Sequence, residues 1–201
     1  MLTGTLRQAR GLGAAGAILV LVSVVPSAGA FSIVGLILTL IAVKYIGELV
    51  KDRDIYSNMS IAVALSIIGA IVGFLVVFSA FSSLLNSNST ITTATNLWDV
   101  FIGRNEGLFL LGLVAVWILF LLSAVLVKKS YDSIALGLGE DLFSLTGKLF
   151  LIGAALTIVF GIGLILVFIA VVLQVAAFLS IPDEMIVTNK RTSDLSSALQ
   201  K

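Results

Sequence analysis

GLGAAGAILVLVSVVPSAGAFSIVGLILTLIAV, residues 11–43, runs for 33 residues without a charged side chain. As one helix it would extend roughly 50 Å at 1.5 Å per residue, whereas a membrane crossing needs about 20 residues for a hydrocarbon layer of about 30 Å. The run breaks near its middle, where Pro26 removes a helix donor and disfavours helix at the residue before it. A second long uncharged run, residues 149–182, carries Gly161 and Gly163 at its middle. Each run reads as one kinked helix or as a tight hairpin. Between them, the apolar stretches 61–85 and 107–127 each supply one further helix.

The positions of the basic residues separate the two readings. If both long runs are hairpins, Arg7, Arg10, Lys44, Lys51, Arg53, Lys128, Lys129, Lys148, Lys190, Arg191 and Lys201 share one side, and only Arg104 faces the other. If both cross once, the 12 Lys and Arg residues divide six and six. Cytoplasmic segments carry the excess of Lys and Arg, so the hairpins are favoured. The expected fold is therefore an all-α polytopic membrane protein. Its six segments are 6–25, 28–46, 61–85, 107–127, 142–160 and 164–181, arranged as three hairpins, the first and last short or re-entrant. Arg7, Arg10 and Lys148 then snorkel from short arms to the interface. Both termini fall on the cytoplasmic side of the cell membrane.

Composition agrees with lipid as the solvent. The chain is 59% hydrophobic and 11% charged with a mean hydropathy of +1.19, against about 45–50% and about 25% for soluble domains. A net charge of +1 leaves nothing to offset a phosphate backbone, so no nucleic-acid partner is expected. The lack of cysteine removes disulfides, thiolate nucleophiles and Cys-rich metal sites. The lack of histidine removes the usual general base and the commonest transition-metal ligand. No cofactor, metal or catalytic residue is expected. The apolar run after Arg10 continues without a small-residue cleavage site, so it reads as a membrane segment and not as a cleaved signal peptide.

Residues 1–181 form one helical membrane domain in this reading, and 182–201 a polar, flexible cytoplasmic tail. Within the domain, 130–147 is more polar. Tyr131, Ile134, Leu138, Leu142 and Leu145 recur at helical spacing, which predicts an interfacial helix running into the fifth segment. The first and last hairpins echo each other, residues 16–46 against 152–181, as a parallel repeat would. Gly69 and Gly73 lie on one helix face with Ala62 and Ser66, a small-residue stripe suited to helix packing. Asn88-Ser89-Thr90 is a glycosylation acceptor pattern on the expected outer side. Gln174 is the most polar side chain of the last segment, of the kind that hydrogen-bonds a neighbouring helix. The charged connector 44–54 reads as a topology-setting loop, with Lys44 and Glu48 spaced to pair.

The stretches Ile-x-Gly-Leu-Ile-Leu-x-Leu-Ile-Ala-Val-Lys at 33–44 and Lys-Asp-Arg-x-Ile-Tyr-x-Asn at 51–58 resemble the DUF996 family of small membrane proteins, found mainly in archaea. Thr-Gly-x-x-Phe-x-x-Gly at 146–153 and Leu-Thr-Ile-x-x-Gly-Ile-Gly-Leu-Ile-Leu at 156–166 are similar to its C-terminal half. The resemblance implies membrane residence and an archaeal source. It supplies no site residues, because the family has no established function. The expected role is a non-enzymatic scaffold or accessory subunit acting through lipid contacts, a membrane protein partner or a homo-oligomer. The alternative is a small transporter or channel.

Overall fold

The computed structural model describes residues 2–23, 29–86, 106–157 and 162–182. They form six helices: α1 (Leu2–Val22), α2 (Gly29–Val50), α3 (Arg53–Asn86), α4 (Glu106–Leu138), α5 (Asp141–Leu156) and α6 (Ile162–Leu179). Consecutive helices pack side by side, and α6 returns to α1, so the six close into a ring. They pair as three antiparallel hairpins, α1/α2, α3/α4 and α5/α6. Pro26 and Gly161, Asn88 with its polar loop, Arg104 and the tail beyond 182 lie outside the described residues.

Two sharp corners join the hairpins at the end of the ring that carries the charges, called here the basic end. Between α2 and α3, Lys51 takes a left-handed φ of 60° and the Asp52 amide reaches back to the Gly47 carbonyl at 3.0 Å. Asp52 then caps α3, its carboxylate accepting the Asp54 amide at 2.9 Å, which satisfies one orphan donor of the first turn. Between α4 and α5, Gly139 takes a φ of 73°, and the amides of Gly139 and Glu140 both reach the Ala135 carbonyl, at 2.8 and 3.2 Å. This is the glycine-terminated helix end that a left-handed residue permits.

These corners alter the expected limits. Helix α3 begins at Arg53, eight residues ahead of the apolar stretch, because the Asp52 cap starts it there. Helix α4 runs through Val127 to Leu138. The polar stretch 130–147 is accordingly divided, its first part closing α4 and its last part opening α5, with Gly139 between. Leu136 and Leu145 are exposed, but its other large apolar residues turn inward, and Tyr131, Ile134 and Phe143 are fully buried.

Those three belong to the core, which sits at the basic end. Leu6 and Ala9 enter it from the start of α1, Val43 and Ile46 from the end of α2, and Ile55 and Met59 from the start of α3. Tyr131 and Ile134 come from the end of α4, Phe143 from the start of α5, and Phe178 and Ile181 from the end of α6 and just beyond. Phe143 stands edge-on between Tyr131 at 5.6 Å and Phe178 at 5.3 Å, a favoured geometry for aromatic rings. Further along the helices the buried residues become mostly small: Ala17, Thr39, Ala62, Ser123, Ala124, Ala154 and Ala170. The large side chains there point outward, Phe74 and Leu111 each 68% exposed.

This division follows from two solvents. Water drives large apolar side chains together, whereas lipid tails are as apolar as leucine and leave close packing of small residues to join helices. Among the described residues, α2, α3, α4 and α6 are long and apolar enough to cross a membrane.

Candidate functional site

The sequence-predicted stripe on α3 faces α4. A Cβ placed on Gly69 would lie 3.6 Å from the Leu119 Cβ, and one on Gly73 would lie 3.8 Å from the Val116 methyls. Both are ordinary van der Waals contacts, so alanine fits at either position. Nearer the basic end the same stripe becomes polar. The hydroxyls of Ser66 and Ser123 share a hydrogen bond at 2.8 Å, and Ser123 lies 3.0 Å from the Ala62 carbonyl, within bonding reach. Buried hydroxyls that find partners across helices join them inside a bilayer.

Tighter crossings occur in the other two hairpins. A Cβ on Gly16 would meet the Gly35 carbonyl at 2.7 Å and the Thr39 hydroxyl at 2.6 Å; one on Gly35 would meet the Gly16 carbonyl at 2.6 Å. In the last hairpin, a Cβ on Gly153 would meet the Gly163 carbonyl at 3.0 Å, and one on Gly163 would overlap the Gly153 carbonyl and the Thr157 backbone. Each terminal hairpin is thus fastened by a reciprocal glycine pair beside a threonine. The similarity of 16–46 to 152–181 held this signal, but spacing alone did not say which of 18 glycines meet.

At the basic end, a polar group lines the α4/α5 groove. Asp132 accepts hydrogen bonds from Lys128 on its own helix and from Ser144 on α5, the latter at 2.8 Å. Asp132, Ala135, Leu136, Asp141, Ser144 and Lys148 line an open depression of about 370 Å³. This part of α4 lies beyond the apolar run that ends at Val127. Partial burial of Asp132 opposes its charge, but hydrogen bonds from Lys128 and Ser144 and the charges of Lys128 and Lys148 prevail. They hold its carboxyl below the usual range. Lys44 and Glu48 pair at 3.9 Å on the exposed end of α2.

Inside the ring, the buried Tyr131 hydroxyl lies beside Gln174 of α6 but makes no hydrogen bond of normal geometry, and neither does the buried Thr39 hydroxyl. Gln174 is itself buried, as its lone polar place on α6 suggests. Among the described residues, no three His, Cys, Asp or Glu residues gather in a way that could hold a metal ion. The groups brought together here bind helices to one another.

A closed ring of six helices, apolar outward along its length and with the described charges, Glu106 apart, at one end, defines a polytopic helical membrane protein. The chain belongs to the DUF996 family, described as a protein of unknown function, whose model matches residues 31–172. It is 30% identical over 190 residues to the uncharacterized protein MJ1644 of the archaeon Methanocaldococcus jannaschii, a match covering 92% of this chain and 98% of that protein. No solved structure matches it.

Proposed function

We propose that this protein is a non-enzymatic scaffold or accessory subunit of the cell membrane, with both termini cytoplasmic, acting through protein and lipid contacts. One observation carries this reading. Of the residues in their membrane-crossing windows, only 17% in α3 and 11% in α4 are buried within the chain. The middle hairpin uses one narrow stripe to hold itself together and offers the rest to its surroundings. Phe74, Leu75, Phe78, Leu110 and Leu111 form an apolar surface far larger than intramolecular packing requires. A surface of this kind binds acyl chains or another membrane helix. The cytoplasmic assignment of the basic end follows the distribution of Lys and Arg.

The test is site-specific photocrosslinking in native membranes from Leu75 and Leu111, with the buried Ile134 as control, after mild-detergent isolation. The expected result is a discrete protein adduct, or a lipid adduct, at Leu75 and Leu111 and neither at Ile134. Equal crosslinking at all three positions would contradict an outward binding surface.

A further inference from the structure

The groove between α4 and α5 at the basic end continues into the apolar outer face of the ring. Lys128 is the first charge after the uncharged run 107–127 of α4, and so stands where hydrocarbon gives way to headgroups. Lys148 of α5 stands beside it, since the adjoining Gly147 packs on the Lys128 backbone, where a Cβ would lie 3.0 Å from the Lys128 Cα. One turn further out, Ser144 and Asp132 are tied across the groove at 2.8 Å. Asp141, at the start of α5, lies seven residues beyond Lys148, about 10 Å farther from the apolar run. In the opposite direction the same sides of both helices turn apolar. Ile152 and Leu156 follow Lys148 at intervals of four residues. Ile118 and Leu122 lie fourteen residues, close to four full turns, from Asp132 and Leu136. All four apolar side chains are exposed.

The charges along this path are not all matched. Lys128 and Asp132 satisfy each other. Lys148 and Asp141 are exposed and have no ion-pair partner among the described residues. Both line the depression of about 370 Å³, Lys148 on its membrane side and Asp141 on its water side, with Ala135 and Leu136 as an apolar wall. From bilayer to water the order is therefore apolar, cationic, anionic. A phospholipid with an amine in its headgroup presents the complementary order of acyl chains, phosphate and ammonium. The flexible lysine stem shortens the interval between the two protein charges toward the span of one headgroup.

We propose that the α4/α5 groove selects a zwitterionic phospholipid bearing a primary ammonium, its phosphate on Lys148, its ammonium on Asp141 and its chains along Ile152, Leu156, Ile118 and Leu122. This rests on the reading of the protein as one that works through lipid contacts, and adds the headgroup that it takes. A primary ammonium donates charge-assisted hydrogen bonds to a carboxylate, which a quaternary one lacks the N–H groups to make. An anionic headgroup without an amine can place its phosphate on Lys148 equally well, but it leaves Asp141 facing a like charge. The two carboxylates of the depression thus act against such a lipid, while the paired Lys128 offers it no compensating free charge.

Native mass spectrometry of the full chain in mild detergent reads the preference directly. The protein is titrated with phosphatidylethanolamine, phosphatidylcholine and phosphatidylglycerol carrying identical acyl chains. Phosphatidylethanolamine is expected to bind about three- to tenfold more tightly than either of the others. Asp141→Asn should abolish that advantage without weakening phosphatidylglycerol, whereas Lys148→Gln should weaken all three lipids. Both side chains are exposed, so neither substitution removes a packing contact. The comparison of lipids on the unmodified chain holds whether or not a variant folds. Equal binding of the three lipids, tighter binding of phosphatidylglycerol, or a preference that survives Asp141→Asn would overturn the proposal. Any of these leaves the wider reading standing, because that is decided by adducts at Leu75 and Leu111 on the middle hairpin.

Discussion

A glycine tolerates a methyl group only if the atom opposite can move, and in this ring the opposing atoms differ in kind. At Gly163 the neighbour is the backbone of α5, the Gly153 carbonyl and the Thr157 amide, which shift only if the helices part. At Gly69 it is the Leu119 side chain at 3.6 Å, already at contact distance. Gly163→Ala is expected to destabilise the protein by about 1–3 kcal/mol, the usual cost of overpacking. Gly69→Ala should be neutral or stabilising, because alanine is the better helix former by about 0.8–1.0 kcal/mol. Thermal unfolding in detergent compares the two, and a larger loss at Gly69 would show the assignment of contacts to be wrong. The stripe of Gly69 and Gly73 could be singled out because it lies within one helix, yet a Cβ at either position meets only ordinary contacts. The Gly16–Gly35 and Gly153–Gly163 pairs could not, since their meeting depends on how two helices cross.

Among the elements, the α4/α5 corner departs most from its sequence-based expectation. Periodicity put Tyr131 and Ile134 on an apolar face but missed Phe143 and included the exposed Leu145, and it could not tell a membrane surface from a protein interior. Both accept Tyr131, Ile134 and Phe143, and only the packing of six helix ends decides. Gly139, in its left-handed conformation, makes the break between the two helices. The ion pair at this corner gives a pH dependence. Asp132 has its folded-state pKa depressed, first against the opposing effect of burial, by Lys128, Ser144 and Lys148. Its contribution to stability is therefore complete above the ordinary carboxylate range and disappears as acid protonates the folded carboxylate. The group is partly exposed, so the effect is small. Melting curves of the parent and Asp132→Asn should differ at pH 7 and converge toward pH 3. Divergence on acidification would have the wrong sign for this interaction.

At the scale of the molecule, hairpin order and membrane residence were readable from charge and hydropathy, because both obey solvent rules that act along the chain. The gathering of the helix ends into one core at the basic end was not, since it depends on how all six helices meet. Orientation can be checked with single cysteines at Ser57 and Ser89. A membrane-impermeant thiol reagent added to intact cells is expected to label Ser89→Cys and not Ser57→Cys; labelling of Ser57→Cys from outside would invert the topology. The cluster at the basic end has a consequence for biosynthesis. Its members run from Leu6 in the first helix to Ile181 beyond the last, and Phe178 fills the space opposite Gly13. A nascent chain emerging from the ribosome can insert two hairpins one after the other, yet it cannot seal their bases until the third arrives. Until then Leu6, Ile46, Ile55 and Ile134 face the aqueous side without cover. The final turn of α6 is thus the keystone of assembly, and a chain that stops short of it presents to cellular quality control the surface that the finished ring conceals.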